Sequence, residues 1–340
     1  MTREITAEAL IANYDAYDLI LDARSPGEFA ESHVPGARNF YAMTDEERRE
    51  VGTLYKQVSP FEAKVKGAAY VCKNAVTHLA SLYPEFTPKH RIAIYCARGG
   101  MRSGSLATIL SSIGYRIDRV KGGYKAYRGR VIDSMEHFEP RRFIVLGGNT
   151  GCGKSDLLAK LHNTLDLEGL ARHYGSSFGG VNGPQPGMKM FQNLLMHAMM
   201  ATDPKLPVFI ESESRRIGKL VVPPALYRMM GEGLRVEITA PLEQRVARIV
   251  RMYAHISDDF FYASMEKIAP YIRRAAKEAA FEAYGRGDLA GVAEVLLLEY
   301  YDLVYKKPAR VDLRICNDDE AETLARLNSL QKEMTHENRL

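Results

Sequence analysis

Arg91-Ile92-Ala93-Ile94-Tyr95-Cys96-Ala97-Arg98-Gly99-Gly100-Met101-Arg102-Ser103 joins a short apolar run to a loop with two glycines and two arginines. Residues 91–95 have the length and apolar continuity of a strand buried on both faces. Residues 103–113 read as a helix, with Gly114 placed to end it. Strand, loop and helix in that order predict an α/β fold on a parallel sheet. Upstream, residues 18–22 (Asp-Leu-Ile-Leu-Asp) repeat the strand pattern and stop at a charged turn. Residues 45–82 hold helix formers and charges with no strong strand signal, which predicts a helical insertion within this first domain.

The same order returns downstream. Residues 143–146 form a strand pattern, and Gly148-Asn149-Thr150-Gly151-Cys152-Gly153-Lys154-Ser155 fits G-x-x-x-x-G-K-[ST]. A helix is predicted over 156–162. Glycines free backbone N–H groups to wrap a phosphate, Lys154 supplies a point charge, and the Ser155 hydroxyl suits Mg²⁺. Gly148, Thr150, Gly151, Gly153, Lys154 and Ser155 are therefore the expected phosphate site, with Cys152 as a small filler. Further strands are predicted at 207–210 and 235–239, and a helical pattern over 241–305. Charged residues 128–142 mark the boundary, so the domains are drawn at 1–138 and 139–340.

Ligands of open α/β sheets sit at the carboxyl ends of strands. That places Glu211, Glu213 and Arg215, which follow the 207–210 strand, among candidate ligand residues. Glu211 is the candidate metal carboxylate beside Ser155, although such loops more often pair with aspartate. His173 and Ser176 lie in a polar loop of the kind that closes on a ligand. Arg245, Arg248 and Arg251 recur at i, i+3 and i+6 on one helix side, facing either solvent, bound phosphates or an RNA backbone. Residues 205–255 hold nine basic and five acidic side chains, a local excess of four positive charges.

The 340 residues exceed an ordinary single core, and 46% hydrophobic with 26% charged residues is a globular composition. A net charge of +4 permits an acidic partner without demanding one. The four cysteines are scattered, without CxxC pairs or metal-ligand spacing, which fits a reducing compartment. No apolar run reaches the roughly 18 residues a membrane span needs, and no signal peptide is read at the start. A cytoplasmic enzyme that does not engage a membrane is expected.

Cys96 follows a strand and precedes a helix, so inward N–H groups, the helix dipole, Arg98 and Arg102 all favour its thiolate. Asp22-Ala23-Arg24-Ser25-Pro26-Gly27-Glu28-Phe29 with His33-Val34-Pro35-Gly36-Ala37 resembles the first rhodanese signature. Val120-Lys121-Gly122-Gly123-Tyr124-Lys125-Ala126-Tyr127 resembles the last one. The resemblance implies a rhodanese fold with sulfur-carrying chemistry at Cys96. In ordinary sulfurtransferase loops the arginine stands five positions after the cysteine. Here Arg102 is six on, as in phosphatase-like relatives, and the wider loop suits a chalcogen carried on phosphorus.

Together the two modules resemble the bacterial tRNA 2-selenouridine synthase family, with further likeness at 51–56, 173–179 and 211–218. That resemblance implies a rhodanese-like domain with an insertion, a P-loop NTPase-like α/β domain with C-terminal helices, and no tightly bound cofactor. It implies replacement of the sulfur of wobble 2-thiouridine in tRNA by selenium from selenophosphate, through an S-geranyl nucleoside made from geranyl diphosphate. Hand-over of selenophosphate from the synthase that makes it, the oligomeric state, and nucleotide binding by the P-loop stay open. Alternatives are a plain sulfurtransferase with an accessory nucleotide-binding domain, a phosphatase-like enzyme and a non-catalytic RNA-binding scaffold.

Overall fold

The computed structural model describes residues 2–83, 85–305 and 310–336. The chain divides into two compact units, Met1–Met135 with Gln192–Met196, and Glu136–Phe191 with His197–Leu340.

The first unit carries β1 (Thr2–Ile5), α1 (Ala7–Ala12), β2 (Leu19–Asp22), α2 (Pro26–Glu31), β3 (Arg38–Asn39), α3 (Asp45–Gln57), α4 (Pro60–Leu82), β4 (Arg91–Tyr95), α5 (Met101–Ser112), β5 (Arg116–Val120) and α6 (Gly123–Glu136). Its strands pair in parallel in the order β1-β5-β4-β2-β3. β2 and β4 lie inside the sheet, and Leu21, Ile92 and Ile94 are fully buried. This is the burial that their unbroken apolar runs predict.

The insertion over 45–82 is helical but split in two. Thr44 and Glu47 form a capping box that starts α3. Ser59 caps α4 with Pro60 at its first turn, so residues 58–59 interrupt the helix. Strand β5 has no apolar run to betray it. Its Asp118 is buried and is satisfied by Arg3 (2.7 Å), Arg91 (3.3 Å) and the Tyr17 hydroxyl (2.9 Å).

The second unit carries β6 (Phe143–Gly147), α7 (Lys154–Lys160), β7 (Thr164–Leu165), α8 (Leu167–Ala171), both ends of α9 (Met188–Met200, whose middle, Gln192–Met196, counts with the first unit), β8 (Val208–Glu211), β9 (Arg216–Ile217), β10 (Leu220–Val221), α10 (Pro224–Glu232), β11 (Leu234–Thr239), α11 (Leu242–Tyr253), α12 (Asp258–Ile268), α13 (Arg274–Gly285), α14 (Leu289–Leu296), a π-helical turn at Leu297–Tyr301, α15 (Asp302–Val304), β12 (Leu313–Cys316) and α16 (Glu320–His336). Its main sheet is parallel in the order β12-β11-β6-β8-β7. β9 and β10 form a small antiparallel hairpin over the polar run that follows β8.

The phosphate-loop helix begins at Lys154, two residues before the predicted start, because left-handed Gly153 (φ +92°) already turns the chain into it. β8 runs one residue further than predicted and takes in Glu211. A separate core of Phe261, Met265, Ile268, Ala280 and Leu296 holds the helices after α11 together. Among the described residues no helix is long and apolar enough to cross a membrane.

Candidate active sites

Cys96 is the first residue past the carboxyl end of β4, where its loop turns into α5. Gly99 (φ +66°) and Gly123 (φ +56°) hold that loop closed. A β-carbon at Gly123 would lie 2.1 Å from the Cys96 carbonyl, and one at Gly99 2.8 Å from the Gly122 nitrogen. The Tyr124 N–H donates to the Cys96 carbonyl (2.8 Å) and the Lys125 N–H to that of Ala97 (3.0 Å). The downstream signature is therefore the clamp on the cysteine loop. The Asp-Ala-Arg start of the upstream signature is structural too. Asp22 and Arg24 form a buried ion pair (2.6 Å), with the Arg24 guanidinium 3.8 Å over the Tyr124 ring.

The sulfur of Cys96 accepts from the Gly100 N–H and the Ser103 hydroxyl, both at 3.2 Å. Burial opposes the thiolate, but hydrogen bonds from Ser103 and the Arg98 backbone, with the charge of Arg102, outweigh it. The thiol pKa lies below its ordinary value.

Arg102 is tied by two bonds to Glu28 (2.6 and 3.4 Å), which also accepts from the Ser25 N–H and hydroxyl. Burial alone would raise the Glu28 carboxyl; the Arg102 contact and Ser25 bring it down to about 2. The Arg98 side chain is exposed, and only its backbone supports the sulfur. The expected pair of guanidinium groups around Cys96 thus reduces to one, Arg102. Ser103 and Glu28 complete the site, and the sequence pattern alone does not mark either for that role.

In the second unit, the loop 148–153 runs from β6 to α7. A β-carbon on Gly148 (φ +134°) would sit 2.0 Å from the Ile238 carbonyl, and one on Gly151 (φ +80°) 3.0 Å from that of Arg245. Residues distant in sequence grip the loop from outside. The Tyr305 hydroxyl accepts the Gly148 N–H (3.0 Å), and Asn317 donates to the Cys152 carbonyl (2.9 Å). Asn149 donates to Asp302 (2.9 Å). Lys154 reaches back to the Gly148 carbonyl (2.8 Å). Burial pulls its pKa down, yet Cys152, Glu168 and Glu213 push it up, and the ammonium is retained.

Arg245 departs from the RNA-facing expectation. It is 7% exposed, bonded through Nε to the Thr150 carbonyl (2.9 Å) and through both terminal nitrogens to Asp302 (2.9 and 2.6 Å). It braces the loop from behind. Arg248 reaches the carbonyls of Gly151 and Asn317 (both 3.3 Å) and lines the phosphate pocket. Arg251 remains on the exposed face.

The Ser155 hydroxyl donates to Glu168 (3.3 Å), a carboxyl that no sequence motif marks. Glu211 is fully buried; its Oε2 accepts the Leu167 N–H (3.1 Å), and its Oε1 has no hydrogen-bond partner. Burial and nearby Asp166 and Glu168 hold its pKa well above the ordinary value. Burial and the charge of Glu213 raise Glu168 to about 8, while Lys154 opposes that rise. Glu213 is raised by burial as well. Burial of the three carboxyls close together thus shifts each towards its protonated form. Among the described residues no group of three or more His, Cys, Asp or Glu side chains is arranged for a metal.

Ser176 lines the phosphate pocket with Thr150, Gly153, Lys154 and Glu168. Gly175 (φ +63°) packs against Glu213 and Glu168, where a β-carbon would approach Glu213 to 2.9 Å. His173 turns its Nδ1 to the Gly175 N–H (3.1 Å) and shapes the loop; it is not among the pocket's walls. Arg215 is exposed between β8 and the β9–β10 hairpin.

A parallel-sheet domain with an activated loop cysteine, followed by a P-loop domain, defines a two-domain enzyme of the rhodanese/P-loop class. The family models agree: residues 6–130 match the rhodanese-like domain and residues 141–282 the tRNA 2-selenouridine synthase AAA domain. The tRNA 2-selenouridine synthase of Hydrogenovibrio crunogenus is 41% identical over 67% of this chain and 66% of its own. That of Shewanella piezotolerans is 35% identical over 78% and 71%. A rhodanese-related protein of Thermoplasma volcanium aligns at 21% identity and a TM-score of 0.24, covering 38% of this chain and 92% of its own. The chain belongs to the tRNA 2-selenouridine synthase family.

Proposed function

We propose that this chain replaces the sulfur of wobble 2-thiouridine in tRNA by selenium, with its two cradles serving successive steps. The P-loop holds the diphosphate of geranyl diphosphate, with Lys154 on the leaving oxygens. The tRNA sulfur bonds the allylic carbon, the carbon–oxygen bond breaks, diphosphate departs, and the uracil loses its N3 proton. Alkylation turns a thiocarbonyl sulfur into a thioether sulfur, a far better leaving group.

The loop of Cys96 serves the second step. There selenium from selenophosphate bonds C2 of the base, the carbon–sulfur bond breaks, and the sulfur leaves with a proton as geranyl thiol. Water then cleaves the selenium–phosphorus bond and releases phosphate. Arg102 and the loop N–H groups suit the phosphoryl oxygens, and the Cys96 thiolate handles the selenium donor or the departing sulfur. Mg²⁺ would meet Ser155 and the diphosphate oxygens, with Glu168 as the nearest carboxyl. Exposed Arg215 and the basic excess of residues 205–255 suit the RNA backbone.

The observation that carries this reading is the pairing in one chain of a thiol with a lowered pKa and a braced phosphate loop. Mass spectrometry of tRNA nucleosides tests it. Geranyl diphosphate alone should yield S-geranyl-2-thiouridine, and both donors together selenouridine. Thiosulfate:cyanide turnover without any nucleoside change would favour a plain sulfurtransferase instead.

A further inference from the structure

The carboxyl edge of the first sheet carries three cations that neither reaction step uses. Arg98 follows β4 and Lys121 follows β5, two neighbouring parallel strands, and Lys125 stands in the first turn of α6. Their turns interlock. A β-carbon on Gly99 would meet the Val120 carbonyl and the Gly122 nitrogen, both at 2.8 Å, and one on Gly123 the Arg98 nitrogen at 3.0 Å. The Lys125 N–H is bonded to the Ala97 carbonyl (3.0 Å). All three side chains therefore spring from backbone that touches the Cys96 loop.

Each of the three is exposed, and none makes an ion pair among the described residues. Other cations of the unit are neutralised: Arg3 and Arg91 by Asp118, Arg24 by Asp22, and Arg102 by Glu28. The mouth of the Cys96 loop thus keeps uncompensated positive charge, and the amino ends of α5 and α6 at the same edge add to it.

A base that reaches the Cys96 sulfur must leave its own phosphates outside. They stay ionised, and burying them unpaired costs far more than holding them at a wet rim. The wobble base lies in a single-stranded loop, where a base can be splayed out while the backbone runs past on both sides. An acidic protein would match the charge too, but the reactant itself brings phosphates to either side of the entering base.

We infer that Arg98, Lys121 and Lys125 hold the RNA phosphates flanking the wobble nucleotide while its base enters the Cys96 loop. The inference rests on the reading of Cys96 as the selenation site. Such contacts fix the strand without reading its sequence.

Binding of tRNA to the full chain over a salt series, with steady-state selenation beside it, tests this in the triple variant Arg98→Ala/Lys121→Ala/Lys125→Ala. Each lost contact to a single-stranded phosphate should flatten the plot of log affinity against log salt by about 0.7, so the three together by about 2. KM for tRNA should rise about tenfold or more while kcat at saturating tRNA is kept, which also reports an intact fold. Lys89→Ala/Arg116→Ala removes two exposed cations beside the amino ends of the same strands, and should change neither slope nor KM. A triple-variant slope within about 0.5 of the unaltered one would overturn the inference, as would an equal loss from Lys89→Ala/Arg116→Ala. So would a fall in kcat at unchanged KM. An unchanged tRNA slope with lost affinity for polyglutamate would assign the three cations to an acidic protein instead. Normal selenouridine from Cys96→Ala would sink the reading of Cys96 itself, a result on which the binding series does not depend.

Discussion

Replacing Asp302 by alanine removes the counter-ion of Arg245 and one anchor of Asn149 in a single change. The Arg245 side chain is 9% exposed and that of Asp302 23%, with contacts at 2.6 and 2.9 Å. An exposed pair of this kind contributes at most about 1 kcal/mol. A buried charge left without its partner costs about 3–5 kcal/mol. Partial access of water at Asp302 argues for the lower end, about 3 kcal/mol. Because Arg245 also holds the Thr150 carbonyl, the loss should centre on the phosphate loop.

Hydrogen exchange of peptides covering 143–160 and 242–253 is the suitable assay. A local loss of about 3 kcal/mol speeds exchange by roughly two orders of magnitude there, at about 1.4 kcal/mol per tenfold. The double change Arg245→Met with Asp302→Leu should cost less than Asp302→Ala, because no charge is then stranded. Exchange rates altered less than about fivefold by Asp302→Ala would show that Arg245 is not sealed behind the loop, and would revive its role as an RNA contact.

Other consequences follow from the same geometry. Ser103→Ala removes a hydrogen bond that favours the Cys96 thiolate, so the pH profile of iodoacetamide alkylation at Cys96 should move to higher pH; an unmoved profile would refute the assignment. Glu168 titrates near 8 in the fold against 4.5 for the free group, so the folded chain binds the extra proton. The associated stability is full below pH 4.5 and lost as pH rises through 8. Glu168→Gln should flatten that decline in a denaturation series, and an identical decline would count against it. Gly123→Ala drives a β-carbon to 2.1 Å from the Cys96 carbonyl, so it should abolish selenation with little effect on diphosphate binding to the second unit; near-normal selenation would show that the clamp is dispensable.

The sequence made the frame of both sites legible because each rests on a contiguous signal. An apolar strand next to a glycine-rich loop located Cys96 and Lys154. What escaped lies in pairings across long separations. Asp302, Tyr305 and Asn317 stand more than 150 residues from the loop they grip, and nothing in their local sequence marks them. Arg245 looked like part of an exposed stripe because helical spacing says which residues share a side, not what covers that side. Strands β1, β5 and β12 were missed for a related reason: their charged residues are either exposed or neutralised by partners far away in sequence. Glu168 escaped because it lies in a five-residue helix, α8, with no motif around it.

The central claim is that Cys96 and Lys154 serve different steps of one modification, and nucleoside mass spectrometry on the two variants tests it most directly. With both donors present, Cys96→Ala should stop at S-geranyl-2-thiouridine, and Lys154→Ala should leave most of the 2-thiouridine unaltered. Normal selenouridine from Cys96→Ala, or undiminished geranylation by Lys154→Ala, would contradict the account.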